Sequence, residues 1–233
     1  MNKTLELLCA GATQGLVKAL QERFLADTHA AIKARFGAVG AIRELLLAGE
    51  PCDVMVATDA MIESLVAEGR LQAATCRPLG RVRTGLAVRS GEPLPDVSTP
   101  EALKASLLAA DAIYFPDAVR STAGIHFANV MRELGIYDEL QPRFRNFPNG
   151  ATSMHELAAK NAPRLIGCTQ VTEINYTRGI DLVGALPDRF ELATVYTAAT
   201  STHATEPELA ARFIELLAGP GSLALRQAGG FEF

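Results

Sequence analysis

The chain has 233 residues, 48% of them hydrophobic and 21% charged, with a formal net charge of −4. That apolar fraction excludes disorder, a pI near 5.6 gives no global electrostatic reason to bind nucleic acid, and no window approaches the ~18 uninterrupted apolar residues of a membrane span. Aromatics make up only 6% and tryptophan is absent, so stacking platforms and aromatic sugar clefts are not expected.

In chain order, Leu5–Ala10 reads as a strand. A secretory leader needs a basic start, an apolar core of about 7–15 residues and a small-residue cleavage site; here Glu6 interrupts the run. The expectation is a cytoplasmic protein, or a periplasmic one whose leader has been removed. Thr13–Leu25 follows as a helix, with Leu16, Val17, Leu20 and Phe24 on one stripe. Ile32–Phe36 is a strand, Val39–Ala48 a helix stopped by Gly49-Glu50-Pro51, Asp53–Ala57 a buried strand and Asp59–Glu68 a helix. This alternation predicts a parallel sheet covered by helices. Arg83–Val88 is an alternating strand, and Thr99-Pro100 starts a helix with Thr99 as its N-cap. A second alternation follows: strand Ala112–Phe115, helix Thr122–Leu134, strand Arg143–Phe147, helix Ser153–Ala159, strand Leu165–Thr169, strand Leu182–Ala185 and strand Leu192–Ala198. Glu206–Leu217 is a C-terminal helix. The predicted fold is α/β with two lobes, residues 1–82 plus 198–233 and residues 83–197. Two crossings place a ligand cleft between the lobes, at the carboxyl ends of the strands.

Four strands run into loops of small residues and then into helices, at Ala12-Thr13-Gln14, at Val39-Gly40, at Arg120-Ser121-Thr122-Ala123, and around Asn149. Helix starts with little side chain in the way suit anions, because backbone N–H groups and the helix dipole face the ligand. No Walker A or complete G-x-G-x-x-G is present, so nucleotide binding is not indicated. Arginine outnumbers lysine 17 to 5, and arginine favours bidentate recognition of carboxylates. Arg120 lies inside a candidate anion loop, and Arg81 and Arg83 flank a crossing strand.

His126 and Glu173 are the candidate proton-transfer groups, and Gln170 ends a strand in a possible wall of the cleft. The four cysteines at positions 9, 52, 76 and 168 lack C-x-x-C spacing and read as buried reduced thiols; Cys168 is the best placed for a catalytic thiol. No histidine or cysteine pair has metal spacing and no G-x-S-x-G elbow occurs. Neither metal nor cofactor is expected.

The segments LCAGATQGLVKALQERF, AGEPCDV, and TAGIHFA followed by LGI resemble the molybdate-type bacterial solute-binding proteins. The resemblance covers nearly the whole chain and implies the type II periplasmic-binding-protein fold, in which two α/β lobes close on a small anion. It also implies a departure. Molybdate binders carry hydroxyl residues in the first two loops, whereas the matching positions here, Ala12 and Val39 to Gly40, hold no serine, and the family's tyrosine after the seventh strand corresponds to Gln170. Thr13, Gln14, Arg120, Asn149 and Gln170 suit a larger organic anion. The expectation is a small-anion binding protein for a (poly)carboxylate. An ABC permease would be its partner only if the chain is exported. The alternative is an aconitate-isomerase-like enzyme, since proteins similar to this family include one.

Overall fold

The computed structural model describes residues 3–233, so residues 1 and 2 of the expected first lobe lie outside the described residues. The chain forms two compact units, one reaching to Val82 and resuming at Thr194–Phe233, the other Arg83–Ala193.

In the first unit, β1 (Thr4–Ala10), α1 (Gln14–Thr28), β2 (Ala31–Gly37), α2 (Val39–Leu47), β3 (Val54–Thr58) and α3 (Asp59–Ala67) alternate. β1 pairs in parallel with both β2 and β3. β9 (Ala193–Thr200) runs antiparallel to β3, with Val54 opposite Thr200. β1 is buried along most of its length, as a strand covered on both faces must be. α1 turns Leu16, Val17, Leu20 and Phe24 inward. Phe24 meets Phe213 of α9 (Pro207–Ala218) edge to face at 5.0 Å. The short α10 (Leu223–Gly229) follows. It was not predicted, because seven residues give too few periods of a helical stripe.

One buried carboxylate organises this unit. Asp53 is 1% exposed. Its Oδ2 accepts the Glu6 N–H at 2.8 Å, and its Oδ1 accepts those of Thr205 and Glu206 at 2.7 and 3.1 Å. Thr205 and Glu206 stand just before Pro207, so the Asp53 side chain ties the turn that enters α9 to β1.

β4 (Arg77–Arg89) begins in the first unit and ends in the second. It is longer than the alternating Arg83–Val88 predicted, since its early polar residues are held by backbone pairing, as at Arg81 with Glu232. The second unit continues with α4 (Pro100–Ala109), β5 (Ala112–Pro116), α5 (Thr122–Glu133), α6 (Tyr137–Leu140), β6 (Phe144–Phe147), α7 (Gly150–Ala158), β7 (Leu165–Gln170), α8 (Val171–Asn175) and β8 (Ile180–Ala185). Thr99 caps α4 as expected, accepting the Ala102 N–H at 3.1 Å. β5 is parallel to β6 and β7, while β4 is antiparallel to β7 and β8. One face of this sheet packs Leu86, Ile113, Phe115, Ile166 and Cys168 against Phe127 of α5. The other packs Ala87, Tyr114 and Leu165 against Met154 and Leu157 of α7.

Replacing Asp53 with alanine leaves several buried amides unpaired and should cost about 3 kcal/mol. Asp53→Asn, which keeps one acceptor oxygen, should cost less. Urea unfolding at neutral pH measures both.

Candidate functional site

Parallel strands end at one edge of a sheet, and the helices that follow begin there. In the first unit this edge holds the starts of α1, α2 and α3. Ala10 leads through a single 3-10 turn, Gly11–Thr13, into α1, and no side chain caps either start. Ala38 precedes α2, and alanine has no oxygen with which to cap. The Thr13 hydroxyl is buried and donates to the Ala10 carbonyl at 2.8 Å, so its proton stays within the loop. Ala12 and Val39 are buried beside these starts, while Gln14 and Gly40 are half-buried. α3 also starts without a side-chain cap, but its first residue, Asp59, places a carboxyl group there, which accepts the Thr197 hydroxyl at 2.7 Å.

The second unit repeats the arrangement with α5, α7 and α8. Between β5 and α5, Asp117 Oδ1 accepts the backbone N–H groups of Val119 and Arg120 at 2.7 and 3.0 Å. That turn delivers Ser121 to the N-cap of α5, where its side chain makes no capping bond. The first-turn amides at Thr122 and Ala123 are left without a side-chain acceptor. A β-carbon on Gly124 would lie 2.4 Å from the Pro116 carbonyl and 2.3 Å from that of Asp117. Glycine is therefore what lets α5 begin against the carboxyl end of β5. The Arg120 side chain is exposed at this edge.

α7 begins at Gly150, earlier than the Ser153 start read from hydrophobic spacing, because Asn149 caps it. Asn149 Oδ1 accepts the Thr152 N–H at 2.8 Å. The remaining amides are taken by Glu173. This residue is buried, accepts the Ala151 N–H at 3.2 Å, and accepts the Thr169 hydroxyl at 2.5 Å. A β-carbon on Gly150 would fall 1.9 Å from Thr169 Oγ1 and 2.0 Å from Glu173 Oε2. Burial pushes the Glu173 carboxyl up, and the Thr169, Ala151, Gln170 and Gly150 donors pull it back only in part. Sequence spacing does not show that Glu173 caps another helix.

His126, the other proton-transfer candidate, donates from Nε2 to the Phe190 carbonyl at 2.7 Å. A carbonyl only accepts, so the proton of the neutral ring sits on Nε2 and the lone pair on Nδ1. Cys168 is buried and burial pushes its thiol well up, which argues against a nucleophile. Gln170 ends β7, buried, opposite Thr84 of β4. Arg83 lines a groove of about 530 Å3 with Asp96, Thr99, Asp188 and Arg189. A more apolar cavity of about 340 Å3, lined by Val88, Ala109, Pro163 and Leu165, sits at the opposite end of β7, away from the helix starts. Among the described residues no cluster of histidine, cysteine, aspartate or glutamate has the make-up of a metal site, and no helix is long and apolar enough to cross a membrane.

Residues 5–232 match the family described as bacterial extracellular solute-binding protein, and the chain belongs to that family. It is 27% identical over 221 residues to an aconitate isomerase of a Pseudomonas species, covering 92% of this chain and 82% of that protein. Among solved structures, the periplasmic molybdate-binding protein of Azotobacter vinelandii superposes with a TM-score of 0.79 at 19% identity, over 98% of this chain and 99% of that one. PEB3 bound to L-phospholactate, a protein of Campylobacter jejuni, superposes with a TM-score of 0.70 at 14% identity, over 98% and 99% of the two chains. These likenesses establish the fold as that of the periplasmic binding proteins.

Gly150→Ala should drive the Glu173 carboxylate off the α7 amides and cost about 2–4 kcal/mol in chemical unfolding. The pH dependence has a definite sign. A carboxyl raised in the folded chain gives stability that is fully present below its ordinary value of 4.5, and that is lost as the pH rises through the raised value. The melting temperature of wild type should therefore fall from pH 4.5 toward neutrality more steeply than that of Glu173→Gln.

Proposed function

We propose that this solute-binding family member takes a small organic polycarboxylate at the open helix starts of its strand edges. The observation that carries this reading is a contrast. α1, α2 and α5 start without side-chain caps, whereas α7 is closed by Asn149 and Glu173. Backbone amides left open at helix starts suit an anion. Arg120 beside α5 adds a fork that fits a carboxylate. Ala12, Thr13, Gln14, Val39 and Gly40 in the first unit, and Arg83, Arg120, Ser121, Thr122, Ala123, Asn149 and Gln170 in the second, are the proposed ligand surroundings. Asn149 acts there by holding α7. The lack of serine at the first two loops argues against molybdate. The similarity to an aconitate isomerase and to a protein seen with L-phospholactate, both concerned with organic acids, supports the carboxylate.

The aconitate isomerase relative also favours a second reading, proton transfer on such an acid. That chemistry needs a base beside the carbon that loses the proton, and amides or a guanidinium to hold the enolate-like charge. Both Glu173 oxygens are held by protein donors. His126, with its Nδ1 lone pair, is the better base.

Calorimetry with trans-aconitate should give binding, while molybdate should bind weakly or not at all. Sub-micromolar molybdate binding overturns the carboxylate reading. Arg120→Ala should weaken trans-aconitate by about 2–5 kcal/mol, and Arg120→Lys should recover only part. Equal affinity in wild type and Arg120→Ala removes the residue from the site. For the second reading, NMR of trans-aconitate with the protein should show cis-aconitate growing at a rate that His126→Gln abolishes while leaving binding intact. An unchanged spectrum leaves the chain a binder.

A further inference from the structure

Thr84 is a threonine in a place where its hydroxyl has nothing to bond. It is 1% exposed, and its Oγ1 has no hydrogen-bond partner among the described residues. Its backbone is fully engaged, with N–H donating to the Leu192 carbonyl at 3.0 Å and C=O accepting from Leu186 at 3.1 Å. Leaving a buried hydroxyl unpaired is unfavourable, and valine would fill the same space without that cost.

Strand register fixes where the hydroxyl lies. Leu86 pairs with Cys168, and both pack on the face covered by α5. Thr84 and Gln170 are the next pair on that face, at the carboxyl end of β7. On the adjacent strand, β5 stands parallel to β7 with Tyr114 beside Gly167, so Asp117 comes level with Gln170. The first turn of α5 begins against the Pro116 and Asp117 carbonyls, where Gly124 permits it. With strands about 4.8 Å apart, Thr84 stands roughly 10 Å across the sheet from that helix start, a span that a small organic acid bridges. The threonines at 172, 194 and 200 also have unpaired hydroxyls, but Thr194 and Thr200 belong to the other unit and Thr172 lies on α8. Thr84 alone of these four pairs across the strands with Gln170, on the face that α5 covers.

We propose that Thr84 is a ligand-contacting, specificity-determining residue whose hydroxyl bonds the bound anion on the same face as Gln170 and the open start of α5. The ligand class rests on the carboxylate reading above, but the role of Thr84 does not depend on which anion binds.

The test uses the whole chain and four probes: trans-aconitate, tricarballylate, molybdate and sulfate. Wild type, Thr84→Val and Thr84→Ser are melted with and without each probe, and the probe that raises the wild-type melting temperature is titrated by calorimetry. Thr84→Val should melt no lower than wild type without ligand, yet bind that probe about 10- to 100-fold more weakly. Thr84→Ser should stay within a few-fold of wild type. A Thr84→Val protein that binds as wild type does, or that melts clearly lower without ligand, overturns the role of Thr84 alone. A wild type that responds only to molybdate or sulfate overturns the carboxylate reading and still tests Thr84 on that ion. A wild type that responds to none of the four overturns both.

Discussion

Every α-helix begins with amides that no residue of the helix can satisfy, and the organisation of this protein follows from how that need is met at each start. α4 is met by Thr99, and the turn that enters α9 is held by Asp53. α7 is met by Asn149 and by a carboxylate from another helix. α1, α2 and α5 are not met by side chains. Among the starts that no side chain meets, those of α1, α2 and α5 follow strands in parallel pairing. Parallel pairing gathers the starts at one edge of each sheet and points their partial positive charge the same way. Starts gathered in this way at one edge suit the anion proposed above.

Glu173 shows how closely such a start can be mimicked from within. Its carboxylate lies where a bound carboxylate would lie, across the first amides of α7, and it reaches them only because residue 150 has no β-carbon. Thr169, four residues earlier, supplies a further donor. The same three features in a ligand site would be an anion, a backbone cradle and a hydroxyl. That comparison also explains why Glu173 is a poor base despite being a buried acid with a raised carboxyl. A base needs a lone pair pointing at the substrate, and both oxygens here point at the protein.

Much of the architecture was legible in the sequence, because long elements carry their own periodicity. The stripe at Leu16, Val17, Leu20 and Phe24 and the run DVMVA left little choice. Thr99 before Pro100 announced its cap. Short elements such as α8 were not legible, since five residues after a buried strand read equally well as the end of that strand. The start of α7 was misplaced because the hydrophobic stripe begins later than the cap. Loops of small residues at Ala12, Val39 and Ala123 were visible as helix starts, but whether each was open or closed was not. Closure of α7 depends on Glu173, 23 positions beyond Gly150, and only the sheet brings the two together. The unpaired hydroxyl of Thr84 had no signature at all, because it is defined by what surrounds it.

The charge of Glu173 bears on what the second unit can accept. An ionised carboxylate across the start of α7 repels a second anion held at the neighbouring start of α5, and burial weakens the screening that water would provide. Two features reduce that repulsion. Burial raises the carboxyl of Glu173, which favours its neutral form relative to a free glutamate, and the donors around it spread whatever charge remains. Arg120 supplies a compensating cation on the α5 side. A compact dianion such as molybdate concentrates its charge within one small sphere and gains most from a ring of hydroxyl and amide donors close together. A polycarboxylate distributes its charge over several carbons and can place one carboxylate at α5 while keeping the others away from α7. The placement of an internal carboxylate beside an open helix start thus favours an extended anion over a compact one, on electrostatic grounds independent of any likeness to other proteins.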